Sequence, residues 1–263
     1  MTVKNKQIHN LCTKPSLRLR LRSTIALMCL FVAHAYGQMS AVIPLEKIQQ
    51  RYAGKWPKHM SYVKKVVSHR YGRTDSSTHY YAYLFPQYTR IDDRSPDNGN
   101  TRIFRGDSTW YFRYHRKSGK GPSRRYFSDY MLGEIYYDDI EGLKKVLAYT
   151  KIDFTKQAKG SWEGRMVYVI GATSLEDRYH VQVWYDAAFL YPVRFIDGLS
   201  GNVLDSRYEI KKHGAIWEPK ATKEFFNKRE TGAVRFVNFS FDRQLPEALF
   251  DPEKYGASHW AQD

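Results

Sequence analysis

The chain is poor in cysteine, with two in 263 residues, Cys12 and Cys29. Both fall within the first 35 residues, which read as an export signal. Once that segment is removed, the exported chain is expected to form no disulfide, no thiolate metal site and no cysteine nucleophile. A long hydrophobic run is also missing. The apolar stretch Ser23 to Val32 (STIALMCLFV) is about half of the roughly 20 residues a helix needs to cross a bilayer, which argues against a retained anchor. Arg18, Arg20 and Arg22 before it and Ala33-His34-Ala35 after it complete a signal-peptide pattern, and the mature chain is expected to start near Tyr36. Leu27-Met28 does not supply the small residue that lipidation of Cys29 would want.

Acid is scarce as well: 27 Asp and Glu face 42 Lys and Arg, a formal charge of +15. Six of those charges (Lys4, Lys6, Lys14, Arg18, Arg20, Arg22) leave with the signal. The moderate excess that remains suits anionic lipid head groups or an acidic partner, and nucleic acid is not an expected ligand of an exported protein. Residues 36–263 are long enough for one large domain, and the even spread of aromatics favours a single one, expected to be monomeric.

Helical spacing is confined to two stretches. In Ile43 to Ala53, Pro44 suits a first turn and Leu45, Ile48 and Tyr52 share a face; in Asp138 to Thr150, Asp138 and Asp139 can cap a stripe of Ile140, Leu143, Val146 and Leu147. Most of the rest reads as eleven short strands: 62–71, 79–85, 89–92, 101–105, 109–115, 165–170, 179–185, 192–197, 203–211, 222–227 and 233–242. Pro96 to Gly99, Gly106-Asp107, Asp197-Gly198, Gly201-Asn202 and His213-Gly214 mark turns too short for parallel crossovers. The expected fold is mainly β with α: a strongly curved antiparallel sheet, a half-open, incomplete β-barrel of about eleven strands, with helices across its concave side. VYVIG from Val167 and VNFSF from Val237 are apolar on both alternate sets, an excess that could line a cavity.

Ile103 to Tyr114 (IFRGDSTWYFRY) resembles the strand, Asp-Gly turn and Trp-bearing strand of the LolA-like family of periplasmic lipoprotein carriers, with Gly106-Asp107 in reversed order. Tyr81 to Asp92 (YAYLFPQYTRID), Trp162 to Gly171 (WEGRMVYVIG), Val181 to Phe195 (VQVWYDAAFLYPVRF) and Leu249 to Tyr255 (LFDPEKY) are similar to further segments of that family and its longer relatives. The resemblance spans nearly the whole mature chain. It implies a LolA/LolB-like fold, a periplasmic location, acylated lipoprotein or lipid cargo, and an inner-membrane donor complex and outer-membrane acceptor as partners. One position departs from the pattern: where the studied carrier has an Arg before the Pro that ends the second strand, holding its lid shut, this chain has Phe85 before Pro86. A lipid-sensing module controlling a membrane protein of the anti-sigma type, or an enzyme acting on envelope lipid or glycan, are the alternatives.

No catalytic or cofactor signature competes with this reading. Gly160 to Gly164 (GSWEG) and Gly198 to Gly201 (GLSG) lack the spacing of a hydrolase elbow and read as strand-entry loops. Gly119 to Pro122 lacks a phosphate-loop frame, and the histidines occur singly without HxH or HExxH spacing, so neither a cofactor nor a metal is expected. The aromatics are abundant, with 21 Tyr, 14 Phe and 6 Trp. Tyr83, Trp110, Phe112, Tyr168, Val183 and Phe195, on strands expected to face the helices, are the candidate lipid contacts, although a slip of one residue would exchange the faces. The segment Arg116 to Arg125 (RKSGKGPSRR) reads as a projecting basic loop, and Arg116, Lys117, Lys120, Arg124 and Arg125 are candidates for docking to a membrane or partner.

Overall fold

The structure is a computed structural model that describes residues 45–93, 99–123, 127–198, 201–241 and 243–256. Contacts divide the chain between Ala41 and Val42; the first unit lies outside the described residues, and so do the whole export signal, Tyr36, Arg124 and Arg125.

Thirteen strands form one antiparallel sheet: β1 (His59–Arg70), β2 (Arg73–Leu84), β3 (Tyr88–Asp93), β4 (Thr101–Arg105), β5 (Ser108–Arg113), β6 (Arg116–Pro122), β7 (Gln157–Trp162), β8 (Arg165–Ile170), β9 (Gln182–Asp186), β10 (Pro192–Asp197), β11 (Leu204–His213), β12 (Ile216–Phe226) and β13 (Arg229–Ser240). Their order is β6-β5-β4-β3-β2-β1-β13-β12-β11-β10-β9-β8-β7, so every neighbour is consecutive in sequence except at the β1–β13 junction. The end strands β6 and β7 do not pair with each other, and the sheet stays half open. All eleven expected strands are present. The two additional ones, β6 and β7, are the sheet's edges: RKSGKGP is a strand rather than a loop, and Gly160 and Ser161 lie inside β7 rather than in a strand-entry loop. Edge strands pair on one side only and tolerate Gly and Lys, which is why composition disguised them.

Helices lie on one face. They are α1 (Leu45–Tyr52), α2 (Phe127–Met131) and α3 (Ile140–Tyr149), with a 3-10 turn at Glu134–Tyr136 between the last two. The two expected helices occur as α1 and α3; α2 and its 3-10 turn were not visible in the spacing. Of the two candidate caps, Asp139 takes the N-cap of α3, its Oδ1 accepting from the Gly142 N–H at 2.7 Å. Asp138 serves the helix layer instead, accepting the Tyr130 hydroxyl at 2.8 Å on its side chain and the Gln49 amide on its carbonyl.

Register decides which residues meet the helices. The row Tyr62, Tyr81, Ile91, Arg102 and Tyr111 lies on the helix face, whereas the row Val63, Tyr80, Asp92, Thr101 and Phe112 lies on the outer face. The main core gathers between the sheet and α1–α3, with Ile48, Tyr52, Trp56, Met131, Leu143 and Trp217 among its buried residues. The outer face is covered in two places. Leu245 and Phe250 from the C-terminal segment pack on Val63, Tyr80, Ala82 and Leu84; Val167, Val169, Trp184, Val193 and Ile196 form the other cluster. These clusters account for the strands that are apolar on both faces: Val167 and Val169 fill the outer cluster while Tyr168 and Ile170 face the helices. In VNFSF, Asn238 has a positive φ of 56° beside a register shift between Ser61 and Val63. This bulge turns Val237 outward and Phe239 inward, where strict alternation would have put them on one face.

Candidate functional site

Toward the sheet end that carries the β1–β2 and β12–β13 turns lies a cavity of 780 Å³ between the sheet and the helix layer. Phe127 and Leu132 from the α2 region and Tyr149 and Thr150 from the end of α3 form one side. The sheet supplies rings and branched side chains, chiefly Phe104, Phe195, Tyr208, Val234 and Phe236. A second, polar recess of 890 Å³ shares Arg102 and Tyr111 with it and reaches the β5–β6 turn at Tyr114.

Several polar groups interrupt the apolar wall. Lys64 projects from β1 with its ammonium 5.7 Å from the Tyr81 ring centre and 5.9 Å from that of Phe236, and among the described residues no carboxylate lies within salt-bridge distance of it. Glu224 accepts a 2.5 Å hydrogen bond from the Ser206 hydroxyl. Burial pushes its carboxyl above the ordinary value, and the Ser206 hydrogen bond and the Lys64 charge only partly offset that. Thr222 is 3% exposed, and its hydroxyl has no hydrogen-bond partner among the described residues. All four side chains border the cavity.

A ring ladder runs from the sheet into the helix layer. Tyr62 stacks on Tyr81 at 4.9 Å, Tyr83 on Phe85 at 5.0 Å, and Phe85 on Tyr137 at 5.5 Å, the residue after the 3-10 turn. Gly133 fits against this ladder because it has no side chain: a Cβ there would lie 2.3 Å from Phe85 Cζ and 2.5 Å from Trp56 Nε1. Phe85, in place of the Arg expected from the resemblance, therefore holds the helix layer through ring stacking.

In the recess, His79 Nδ1 lies 2.9 Å from Asp93 and Arg102 Nη2 lies 3.0 Å from the same Asp93 oxygen, while Ser77 Oγ, which does not line the recess, lies 2.9 Å from His79 Nε2. Burial pushes the Asp93 carboxyl up, but the His79 hydrogen bond and the Arg102 charge outweigh it, and its pKa falls below the ordinary value. The order of atoms is that of a Ser-His-Asp relay. Its origin is nonetheless simple register, since Ser77 and His79 are two apart on β2 and Asp93 is opposite His79 on β3.

The six expected lipid contacts separate by face. Phe195 lines the cavity; Tyr83 and Val183 are buried in the helix-face core and Tyr168 packs on its edge. Trp110 and Phe112 project from the outer face, Trp110 under the Lys120 ammonium at 4.9 Å and Phe112 stacked on Tyr255 at 3.9 Å. On β5 it is Tyr111 that faces the cavity, a shift of one residue. Lys64, Tyr208, Thr222, Glu224 and Phe236 went unnoticed in the sequence. The alternation Tyr62, Lys64, Val66 in β1 was the available signal. Of the basic segment, Arg116, Lys117 and Lys120 lie on edge strand β6, and Lys117 Nζ meets Glu253 at 2.6 Å. In the segment Val181 to Phe195, Trp184, Asp186 and Arg194 are structural. Asp186 accepts from the Ala188 and Phe189 N–H groups at 2.9 Å, while Arg194 stacks on Trp184 at 4.5 Å and pairs with buried Asp205. Among the described residues no three His, Cys, Asp or Glu gather as a metal site, and no helix is long and apolar enough to cross a membrane.

Sequence comparison finds no family model and no curated protein that matches the chain. Comparison of the fold does find similar structures. A DUF1329 family protein from Desulfovibrio piger superposes with a TM-score of 0.54 at 14% identity, covering 81% of this chain and 96% of that one. A LolA superfamily protein from Nitrosomonas europaea gives 0.52 at 12% identity over 81% and 99% of the two chains. An outer membrane lipoprotein-sorting protein domain from Vibrio parahaemolyticus gives 0.55 at 12% identity over 80% and 95%. The fold is therefore LolA-like, a curved, half-open antiparallel sheet shared with these three structures.

Proposed function

We propose that the chain is an exported carrier that holds the acyl chains of lipoproteins or other envelope lipids in the helix-face cavity and moves them through the periplasm toward the outer membrane. Residues 1–35 would be removed as the signal, leaving 36–263 as one lipid-binding domain. The observation that carries this reading is the 780 Å³ cavity, walled mainly by aromatic and aliphatic side chains, between an open sheet and the helix layer. Its volume is in the range of small-molecule sites. Each buried methylene is worth roughly 0.8 kcal/mol, so a long acyl chain leaves a bilayer at a cost of about 10 kcal/mol and needs an apolar enclosure to cross water.

In this reading Phe195, with Tyr83, Tyr168 and Val183 behind it, forms the acyl wall, together with Tyr111 and Phe236. The ladder through Phe85 and Tyr137 keeps the helix layer closed until cargo displaces it. Arg116, Lys117, Lys120, Arg124 and Arg125 supply positive charge for docking to an inner-membrane donor or outer-membrane acceptor. No bond is broken. The Ser77 hydroxyl sits on a regular strand paired with β1, and an acyl-transfer site would need two backbone N–H donors aimed at one oxyanion.

Native mass spectrometry of the protein purified from its own envelope is expected to show a bound acyl ligand. Phe195→Ala should weaken a fluorescent fatty-acid probe several-fold while lowering the unfolding midpoint only modestly. A ligand-free native protein that also fails to bind the probe would overturn the carrier reading.

A further inference from the structure

Six two-residue turns connect neighbouring strands, three at each end of the sheet. At the end away from the cavity they are Gly106-Asp107, Glu163-Gly164 and Gly214-Ala215, each containing a glycine and none an aromatic residue. At the cavity end they are Tyr71-Gly72, Tyr114-His115 and Asn227-Lys228. Here φ is positive at both positions of every turn: 50° and 74°, 50° and 60°, 50° and 71°. Such turns favour Asn, Asp and Gly, and a bulky side chain in the left-handed region is strained.

Two tyrosines nonetheless occupy that position, and neither is repaid by packing. Tyr71 is 101% exposed and Tyr114 is 79% exposed; Phe226, just before the third turn, is 45% exposed. Cations gather at all three turns: Arg70 and Arg73 bracket the first, Arg113 and Arg116 bracket the second, and the third contains Lys228 and is followed by Arg229. Among the described residues none of these six has a carboxylate within salt-bridge distance, and the nearby acids Asp75 and Glu230 are both exposed. The polar recess opens beside this rim, since Arg113 and Tyr114 are part of its lining. Folding alone thus explains neither the tyrosines nor the concentration of unpaired positive charge at the cavity end.

We infer that these three hairpin tips are a membrane-docking rim, which seats on an anionic lipid surface and presents the cavity mouth to it. Tyrosine rings suit the boundary between head groups and acyl chains, and arginines beside them reach the phosphates. Separate tips on stiff hairpins, each with an exposed aromatic and two cations at or beside the turn, fit a fluid lipid surface better than the continuous apolar patch of a protein interface. The inference rests on the carrier reading only for what the docking achieves, namely transfer of a chain without passage through water.

The test uses flotation with large unilamellar vesicles of phosphatidylcholine, with and without phosphatidylglycerol. The parent should associate with the anionic vesicles and weaken as salt rises. The double variant Tyr71→Asn, Tyr114→Asn should associate on the order of ten-fold more weakly, yet melt at the same temperature or higher, because Asn accepts the left-handed region. Parent-like association of that variant overturns the rim, as does a parent that ignores anionic vesicles. Association that requires Arg70, Arg73, Arg113 and Arg116 but not the tyrosines also overturns it, in favour of an acidic protein face. Probe binding by the parent in vesicle-free solution separates the two proposals: a parent that docks but binds no fatty acid sinks the carrier reading and leaves the rim standing.

Discussion

Lys64 is the most informative single residue of the cavity. Its neighbours in the register, His79 and Phe236, keep its side chain on the helix face, and its ammonium faces rings rather than an acid. An ammonium held over rings at the edge of an apolar space is positioned to receive an anionic oxygen, and the Thr222 hydroxyl, without a hydrogen-bond partner among the described residues, borders the same space. Lys64→Met keeps the length of the side chain and removes the charge. It is expected to weaken binding of palmitate several-fold and to leave binding of the uncharged hexadecanol unchanged, as measured by displacement of a fluorescent probe. An equal loss for both ligands would mean that Lys64 contributes packing and nothing to head-group recognition. Trp110 teaches the complementary lesson. An aromatic residue after a turn is conspicuous in a sequence, but a strand presents it to one face or the other by parity alone, and here parity sends it beneath Lys120 on the outer face.

Among the elements, α3 is the one whose stability should control access. Only Leu143 and Leu147 are buried on it, its last turn borders the cavity, and its start depends on one capping bond from Asp139 to the Gly142 N–H. Asp139→Ala removes that bond at a cost of about 1 kcal/mol, and Asp139→Ser should recover most of it. Hydrogen exchange should show faster opening of the α3 amides in the alanine variant, with the central strands β1 and β13 unaffected. Uniform acceleration across the sheet would show that α3 is not a separate opening unit. This helix was legible because Ile140, Leu143, Val146 and Leu147 repeat at helical spacing behind an acidic cap. By contrast α2 spans five residues, too few to display a period, and only its contacts with Phe195 and the sheet define it. The central strands were legible from their β-branched and aromatic runs, whereas the edges β6 and β7 were not, because a strand that need not bury both faces can be built from Lys, Ser and Gly. The site was partly legible for a related reason: composition shows that apolar side chains are in excess, but not which face each one takes, nor that a bulge at Asn238 reverses the alternation.

At the scale of the whole molecule, the buried charges give stability a pH dependence of two opposite signs. Burial raises Asp205, but hydrogen bonds and charge from Arg194 and Arg207 outweigh it, and its pKa falls below the ordinary 3.8; Asp93 likewise ends below 3.8, through His79 and Arg102. Both carboxylates favour the folded state once they are ionised. Their contribution is complete above pH 3.8 and is lost as the pH falls through their lower folded values. Glu224 behaves in the opposite way, because burial raises its pKa above the ordinary 4.5. The folded chain holds that proton more tightly than the unfolded one, so its contribution is complete below pH 4.5 and is lost as the pH rises through the raised folded value. Urea unfolding across the acid and neutral range should therefore give a midpoint that climbs from strongly acid pH and then gives back part of the gain. Glu224→Gln keeps an uncharged side chain on the cavity wall at every pH. Relative to the parent, this variant should gain stability as the pH rises above 4.5, while keeping the same loss at strongly acid pH, where Asp93 and Asp205 dominate. A difference between the two proteins that does not vary with pH would place Glu224 in water-like surroundings and remove the argument for a dry cavity wall.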